Sequence, residues 1–136
     1  MSVGFHVGIN IYMISSSDFL HSFFSTVAYH LENKKWGKKY PYIMKKLYKG
    51  RLKNAHVDYA RSELTDIKMK LSELSPDNVI WDIENLAEQP PWGNDITDTI
   101  TSLANYFVTS DGEDFIEVFE QVLAVAKETQ EDVAIR

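Results

Sequence analysis

Cysteine is absent from the 136-residue chain. Its absence excludes a disulfide framework, a thiol nucleophile and a cysteine-ligated zinc site. The sequence also lacks the ~20 consecutive apolar residues of a membrane-spanning helix. Residues 1–6 lack the basic and apolar segments of a secretory signal. We therefore expect a cytoplasmic protein that does not cross a membrane.

The remaining candidate catalytic groups do not form a recognised site. The four histidines are His6, His21, His30 and His56, and no pair of them has a metal-ligand spacing. No serine lies in a GxSxG nucleophile elbow. His30 falls in the apolar arc of a predicted helix, which favours a hydrogen-bonded histidine at the edge of the core over a ligand or a base. We predict no catalytic residue, no metal site and no cofactor, and an enzyme is not expected.

Periodic apolar residues predict the elements of one globular domain over residues 1–136. With 44% hydrophobic and 25% charged residues, the composition is that of a folded protein. Alternation and a 3.6-residue period predict strands and helices respectively. The predicted strands are 3–14, 78–83, 105–109 and 133–135, and the predicted helices are 19–31, 41–49, 55–74 and a final helix that ends near 129. Ser110 and Glu113 are predicted to form a capping box for the final helix.

These elements together predict an α+β fold. We expect a small, mostly antiparallel sheet of three to four strands with about four helices packed on it.

Charge is divided unequally along the chain. Residues 1–76 contain 12 Lys and Arg against 6 Asp and Glu, whereas residues 77–136 contain 2 against 14. Nine of the basic residues lie in the stretch 34–53, where they are interleaved with four aromatic residues: Trp36, Tyr40, Tyr42 and Tyr48. Cations and aromatic rings together are typical of phosphate contacts and base stacking. Nucleic-acid binding is therefore one hypothesis. The acidic second half opposes it, and the aromatic residues could instead anchor a short helix to the core.

The acidic half contains two candidate binding features. Glu113, Glu117 and Glu120 lie on the polar face of the predicted last helix, where each like-charge pair costs about 0.2–0.5 kcal/mol. A face that tolerates this repulsion either meets a basic partner or serves solubility. The second feature is the proline-stiffened loop 84–94. Its Trp92 either covers the core or is exposed as an interface anchor beside the carboxylates of Asp82 and Glu84.

Five segments together resemble the bacterial immunity protein 70 family. In chain order they are 1–5 (MSVGF), 19–24 (FLHSFF), 79–84 (VIWDIE), 90–93 (PPWG) and 105–112 (NYFVTSDG). The resemblance covers nearly the whole chain. It implies a protein that protects the producing cell by binding a toxin domain of a polymorphic or contact-dependent toxin system. It implies no catalytic residue.

The resemblance and the charge pattern predict an immunity protein that neutralises a cognate toxin by blocking its active site. Nuclease toxins have basic substrate grooves, and an acidic surface would fit a toxin of that class. The candidate toxin-binding residues are Asp82, Glu84, Trp92, Glu113, Glu117 and Glu120. The alternative is a small nucleic-acid-binding protein that uses the basic stretch 34–53.

Overall fold

A computed structural model describes residues 2–93 and 95–136 of the chain. The four strands of its sheet are β1 (Ser2–Val7), β2 (Asn10–Ser16), β3 (Arg51–Leu52) and β4 (Val133–Ile135). The helical elements are α1 (Ser17–Leu31), a π-helical segment (Tyr42–Leu47), α2 (Val57–Leu71) and α3 (Phe115–Thr129), with short 3-10 turns at Asn54–His56 and Pro76–Asn78. The strands lie in the order β2-β1-β4-β3, and each neighbouring pair is antiparallel. The predicted α+β fold is confirmed.

The first predicted strand, 3–14, is in fact a hairpin. Gly8 has a φ of 58° and starts a two-residue turn between β1 and β2, and glycine adopts this left-handed conformation without a steric cost. The apolar alternation continues across the turn, so the sequence pattern does not show where the chain reverses. Ile9 at the turn is consequently 97% exposed, and Ile11 and Met13 of β2 are also exposed.

Aromatic side chains fix α1 and α3 on one face of the sheet. Phe5 of β1 lies 4.9 Å from Phe119 of α3, and Phe23 of α1 lies 4.8 Å from Phe115 of α3, measured between ring centroids. All four rings are fully buried. Burial of one such side chain contributes roughly 1.5–3 kcal/mol. This cluster therefore holds the two helices whose ends border the site described below.

The predicted strand at 78–83 is wrong, because this segment pairs with side chains of α1 instead of with another strand. The carbonyl of Ile80 accepts hydrogen bonds from the hydroxyls of Ser22 (2.9 Å) and Thr26 (3.2 Å), and its N–H donates to Thr26. Ser25 accepts from the N–H of Ile83. The three hydroxyl residues are fully buried. A polar stripe on a helix thus satisfies backbone groups that a sheet would otherwise have to satisfy.

His30 completes this stripe. Its Nε2 lies 2.7 Å from the carbonyl oxygen of Asn78, which confirms the prediction of a hydrogen-bonded histidine at the edge of the core. The segment that carries Trp81 and Asp82 is therefore held in place by four side chains of one helix.

The predicted strand at 105–109 and the predicted capping box are also wrong. Of the 105–109 segment, Val108 forms an isolated antiparallel bridge with Asp114. The N-cap of α3 is Asp114, whose carboxylate accepts from the N–H groups of Ile116 (3.0 Å) and Glu117 (3.4 Å). Ser110 instead donates its backbone N–H to the carbonyl of Ile14 at 2.9 Å. This bond attaches the segment before α3 to strand β2.

Candidate functional site

Trp92 forms one wall of a surface cavity. Its indole N–H donates to the hydroxyl of Tyr106 at 2.8 Å, and its ring meets that of Trp81 edge-on at 5.5 Å. Pro90 is buried, whereas Trp92 is 39% exposed. Trp92 is thus neither a complete lid on the core nor a freely projecting anchor. The bond to Tyr106 and the contact with Trp81 fix the ring, and part of it remains open to solvent.

The cavity beside Trp92 is predominantly apolar. Its volume is about 210 Å³. It is lined by Phe19, Trp92, Asp95, Ile96, Thr97, Ile100, Tyr106 and Val108. Burial raises the pKa of the Tyr106 hydroxyl, and the hydrogen bond from Trp92 opposes this rise. Because the indole N–H already has a partner, the Trp92 wall offers a mainly hydrophobic contact.

A polar, acidic cavity adjoins the apolar one, since Trp81 of its lining contacts Trp92. It is lined by Asp18, His21, Trp81, Asp82, Asn85 and Glu88. His21 bridges two elements here: its Nε2 lies 3.3 Å from Asp82, and its Nδ1 lies 2.7 Å from the hydroxyl of Tyr48. Burial, followed by the charges of Glu84 and Asp82, raises the pKa of the Tyr48 hydroxyl. These bonds fix the position of the Asp82 carboxylate.

A second acidic groove lies at the beginning of α3. It is lined by Gly112, Glu113, Asp114, Glu117, Val118 and Gln121. The bridge between Val108 and Asp114 connects it to the apolar cavity. Asp18 and Phe19 are consecutive residues that line the polar and the apolar cavity respectively. The three cavities are therefore neighbours.

We call the residues lining these three cavities the acidic surface. Its carboxylates are Asp18, Asp82, Glu88, Asp95, Glu113, Asp114 and Glu117. None of the described residues that line it is a lysine or an arginine. An apolar centre flanked by carboxylates is suited to a basic protein partner, because it combines a desolvated contact with electrostatic attraction.

A family model described as Immunity protein 70 matches residues 5–135. The chain belongs to this family. The resemblance predicted from five short segments is confirmed over nearly the full length. Comparisons with curated proteins and with solved structures give no match. As members of an immunity protein family are associated with protection against toxins, the acidic surface is the candidate site for toxin contact.

The acidic surface contains four of the six residues that the sequence analysis proposed for toxin contact. Asp82, Trp92, Glu113 and Glu117 line its cavities. Glu84 is exposed beside it, and its backbone N–H donates to Asp82. These placements leave toxin binding by each residue a prediction.

Glu120 differs from its neighbours on α3 because it faces α2. Its carboxylate lies 3.1 Å from the ammonium group of Lys68. The sequence analysis places Glu120 beside Glu117 on the polar side of α3 but does not anticipate this ion pair, and toxin contact by Glu120 stays a prediction. The sequence pattern places both residues on the polar side of α3, but only packing shows that a neighbouring helix supplies a cation for one of them.

Sequence reasoning missed several residues of the immunity protein's acidic surface. Asp18, Glu88 and Asp95 supply carboxylates, and Val108 and Ile100 supply apolar walls. They come from separate parts of the chain that meet only because the segment after α2 folds back over α1. The sequence gives no periodic signal for this contact.

The basic stretch 34–53 is held to the core by carboxylates. Glu32, which is 4% exposed, accepts three backbone hydrogen bonds. Its donors are the N–H groups of Gly37 at 3.0 Å and of Lys39 and Tyr40 at 2.9 Å. Part of the apparent excess of positive charge in this stretch is therefore balanced by a buried acid that precedes it in the sequence.

Two acids of α2 extend this anchoring. Glu63 accepts from the backbone N–H groups of Tyr42 (3.2 Å) and Ile43 (2.9 Å). Burial raises the pKa of Glu63, and these two bonds partly offset the rise. The hydroxyl of Tyr40 donates to Asp66 at 2.5 Å. Burial, followed by this hydrogen bond, raises the pKa of the Tyr40 hydroxyl.

The aromatic residues of the basic stretch are largely occupied by packing. Tyr40 is 2% exposed, and the indole N–H of Trp36 donates to the carbonyl of Met44 at 2.7 Å. The ring of Tyr48 packs edge-on against Phe24 at 4.7 Å. These contacts support the interpretation that the aromatic residues anchor a short helix. They leave few aromatic faces for stacking with nucleic-acid bases.

Over residues 2–93 and 95–136, no group of three or more His, Asp or Glu side chains is arranged to hold a metal ion. In the same part of the chain, no helix has the length and apolar character needed to cross a bilayer.

Proposed function

We propose that this protein binds the toxin domain of a cognate polymorphic or contact-dependent toxin in the cytoplasm and neutralises it by covering its active site. Membership of an immunity protein family supports a toxin partner. The observation that carries the choice of surface is the apolar cavity bordered by two cavities that are rich in carboxylates. Inhibition by occupancy requires no catalytic residue and no cofactor in the immunity protein.

The charge of the acidic surface supports a basic toxin. Carboxylates that are not neutralised by neighbouring lysines or arginines attract a basic partner over distances of about one Debye length, ~8 Å at physiological salt. Such attraction raises association rates by roughly 10–1,000-fold. A nuclease is one class of toxin with a suitable basic groove, and the acidic surface would occupy the place of its polyanionic substrate.

The test is a kinetic binding assay with a candidate toxin domain, sought in the reading frame upstream of the gene, after co-expression and co-purification of the pair. The variant Glu113→Lys/Glu117→Lys reverses two exposed charges of the acidic surface. We expect association to slow by about tenfold or more and to lose most of its salt dependence. Circular dichroism checks that the variant is folded.

The matched control is Glu128→Lys/Glu131→Lys. Both residues are exposed at the far end of α3 or just beyond it. Because two Glu are again replaced by Lys, the change in net charge is the same. We expect this variant to associate at a rate close to that of the wild type. Equal slowing of the two double variants would show that net charge alone matters, and would contradict the assignment of the acidic surface.

A further inference from the structure

The fixed position of Trp92 bears on which of the two proteins, the immunity protein or the toxin, inserts a side chain into the other. A projecting tryptophan can insert into a pocket of another protein, but Trp92 is held by Tyr106 at 2.8 Å and by Trp81 at 5.5 Å. Its exposed part faces a cavity of its own protein, which Ile100 and Val108 also line. The immunity protein therefore presents an opening to the toxin, not a protrusion.

The size of the opening suits a single side chain. At about 210 Å³, it is smaller than the cavities of about 300–1,000 Å³ that bind small-molecule ligands. Its apolar lining gives an aliphatic group a favourable transfer from water, and few polar groups lie inside to bind a polar one. A protruding aliphatic side chain satisfies both conditions.

The surrounding charges define the neighbours of that side chain. Asp95 lines the cavity itself, Asp18 follows directly along one wall, and Asp114 is bridged to Val108 on another. We propose that the toxin inserts one aliphatic side chain, flanked by lysine or arginine, into the cavity beside Trp92. This inference rests on the proposed function, since it names the part of the toxin that the acidic surface binds.

The cavity can be filled without changing the charge of the surface. Val108 is 40% exposed at its rim, and Val108→Phe adds bulk where the toxin side chain would enter. We expect this variant to bind the toxin domain at least about tenfold more weakly, mainly through faster dissociation. Association should change little because the carboxylates remain. Met69→Phe, at a 58% exposed apolar position on α2, is the matched control and should bind normally.

A second variant tests the same prediction if Val108→Phe does not fold. Thr97 is exposed and lines the same cavity, so Thr97→Ile fills it from another wall. Circular dichroism and thermal unfolding establish which variants are folded. The two filling variants are expected to weaken binding in the same way. We call the cavity beside Trp92, when it receives a toxin side chain, the socket. Weaker binding of both variants would support the socket over insertion of Trp92 into the toxin, because filling the cavity would not affect a tryptophan that enters the toxin.

The toxin side chain is identified by alanine scanning of aliphatic residues next to lysine or arginine on the toxin domain. One alanine variant should weaken binding to the wild type by about tenfold or more but have little further effect on Val108→Phe, because both changes remove the same contact. If folded Val108→Phe and Thr97→Ile bind with unchanged rates, the socket is wrong and the proposed function stands. If wild-type protein does not bind the toxin domain, the proposed function and the socket both fail.

Discussion

Replacement of Glu32 should loosen the basic stretch from the core and destabilise the whole protein. The Oε1 atom of Glu32 accepts from the N–H of Gly37, and Oε2 accepts from the N–H groups of Lys39 and Tyr40. In Glu32→Gln, the amide oxygen can take the place of Oε2 and keep two of the bonds. The amide nitrogen then faces the N–H of Gly37, and one hydrogen bond is lost.

The magnitude follows from the number of bonds that each variant loses. A hydrogen bond to a charged group contributes about 1.5–3 kcal/mol, and an unsatisfied buried donor costs about 1–3 kcal/mol. We therefore expect Glu32→Gln to lower the free energy of unfolding by about 2 kcal/mol. Glu32→Ala removes all three acceptor contacts and should cost about 4 kcal/mol or more, a large part of the ~5–15 kcal/mol typical of a folded domain.

Urea unfolding followed by circular dichroism measures both effects. With a slope of about 1–3 kcal/mol per molar urea, the midpoint of Glu32→Gln should fall by roughly 1 M. Glu128→Gln, at an exposed position on α3, is the control and should stay within about 0.5 kcal/mol of the wild type. A midpoint of folded Glu32→Ala equal to that of the wild type would refute the conclusion that this carboxylate holds the basic stretch.

Three further predictions address the ion pair on α3, the effect of pH and the alternative function. Glu120→Lys should lower the free energy of unfolding by about 0.5–1 kcal/mol in urea titrations, because it replaces the pair with Lys68 by a repulsion. A double variant with Lys68→Glu should recover part of this loss, and no recovery would contradict the pairing. The hydrogen bond from Tyr40, followed by Lys70, lowers the pKa of Asp66. Ionised Asp66 should therefore stabilise the fold fully above the unfolded-state pKa of about 4, and this contribution should disappear as the pH falls through the lower folded-state pKa. The difference in stability between wild type and Asp66→Asn should consequently shrink in acid titrations of stability. Binding of RNA or DNA should be weak and vanish near physiological salt, and submicromolar affinity in a filter-binding assay at 0.15 M salt would instead support the alternative function.

Long periodic segments are predicted well because their own side chains carry the signal. The three α-helices appear close to their predicted positions, since an apolar face repeats along each of them. The hairpin is missed because its apolar alternation continues through Gly8 and Ile9. The segment 78–83 is misassigned because its Val and Ile residues are typical of a strand, whereas its backbone partners are hydroxyls on α1.

The candidate site, like the fold, is predicted only in part from the sequence. The sequence predicts an acidic second half, a stiff loop with Trp92 and membership of an immunity protein family. It does not predict that Glu120 is paired with Lys68, since the two residues are 52 positions apart.

The sequence by itself determined the helices, the unequal distribution of charge and the family, because each depends on residue types or on spacing within one segment. Tertiary structure alone decided which surface those charges occupy. The packing of residues 79–93 and 95–110 brings Phe19 next to Trp92 and Asp18 next to Trp81, and the bridge at Val108 brings the beginning of α3 beside them. The apolar cavity and the carboxylates that border it come together only after these distant segments pack, since Phe19, Trp92 and Val108 come from separate parts of the chain.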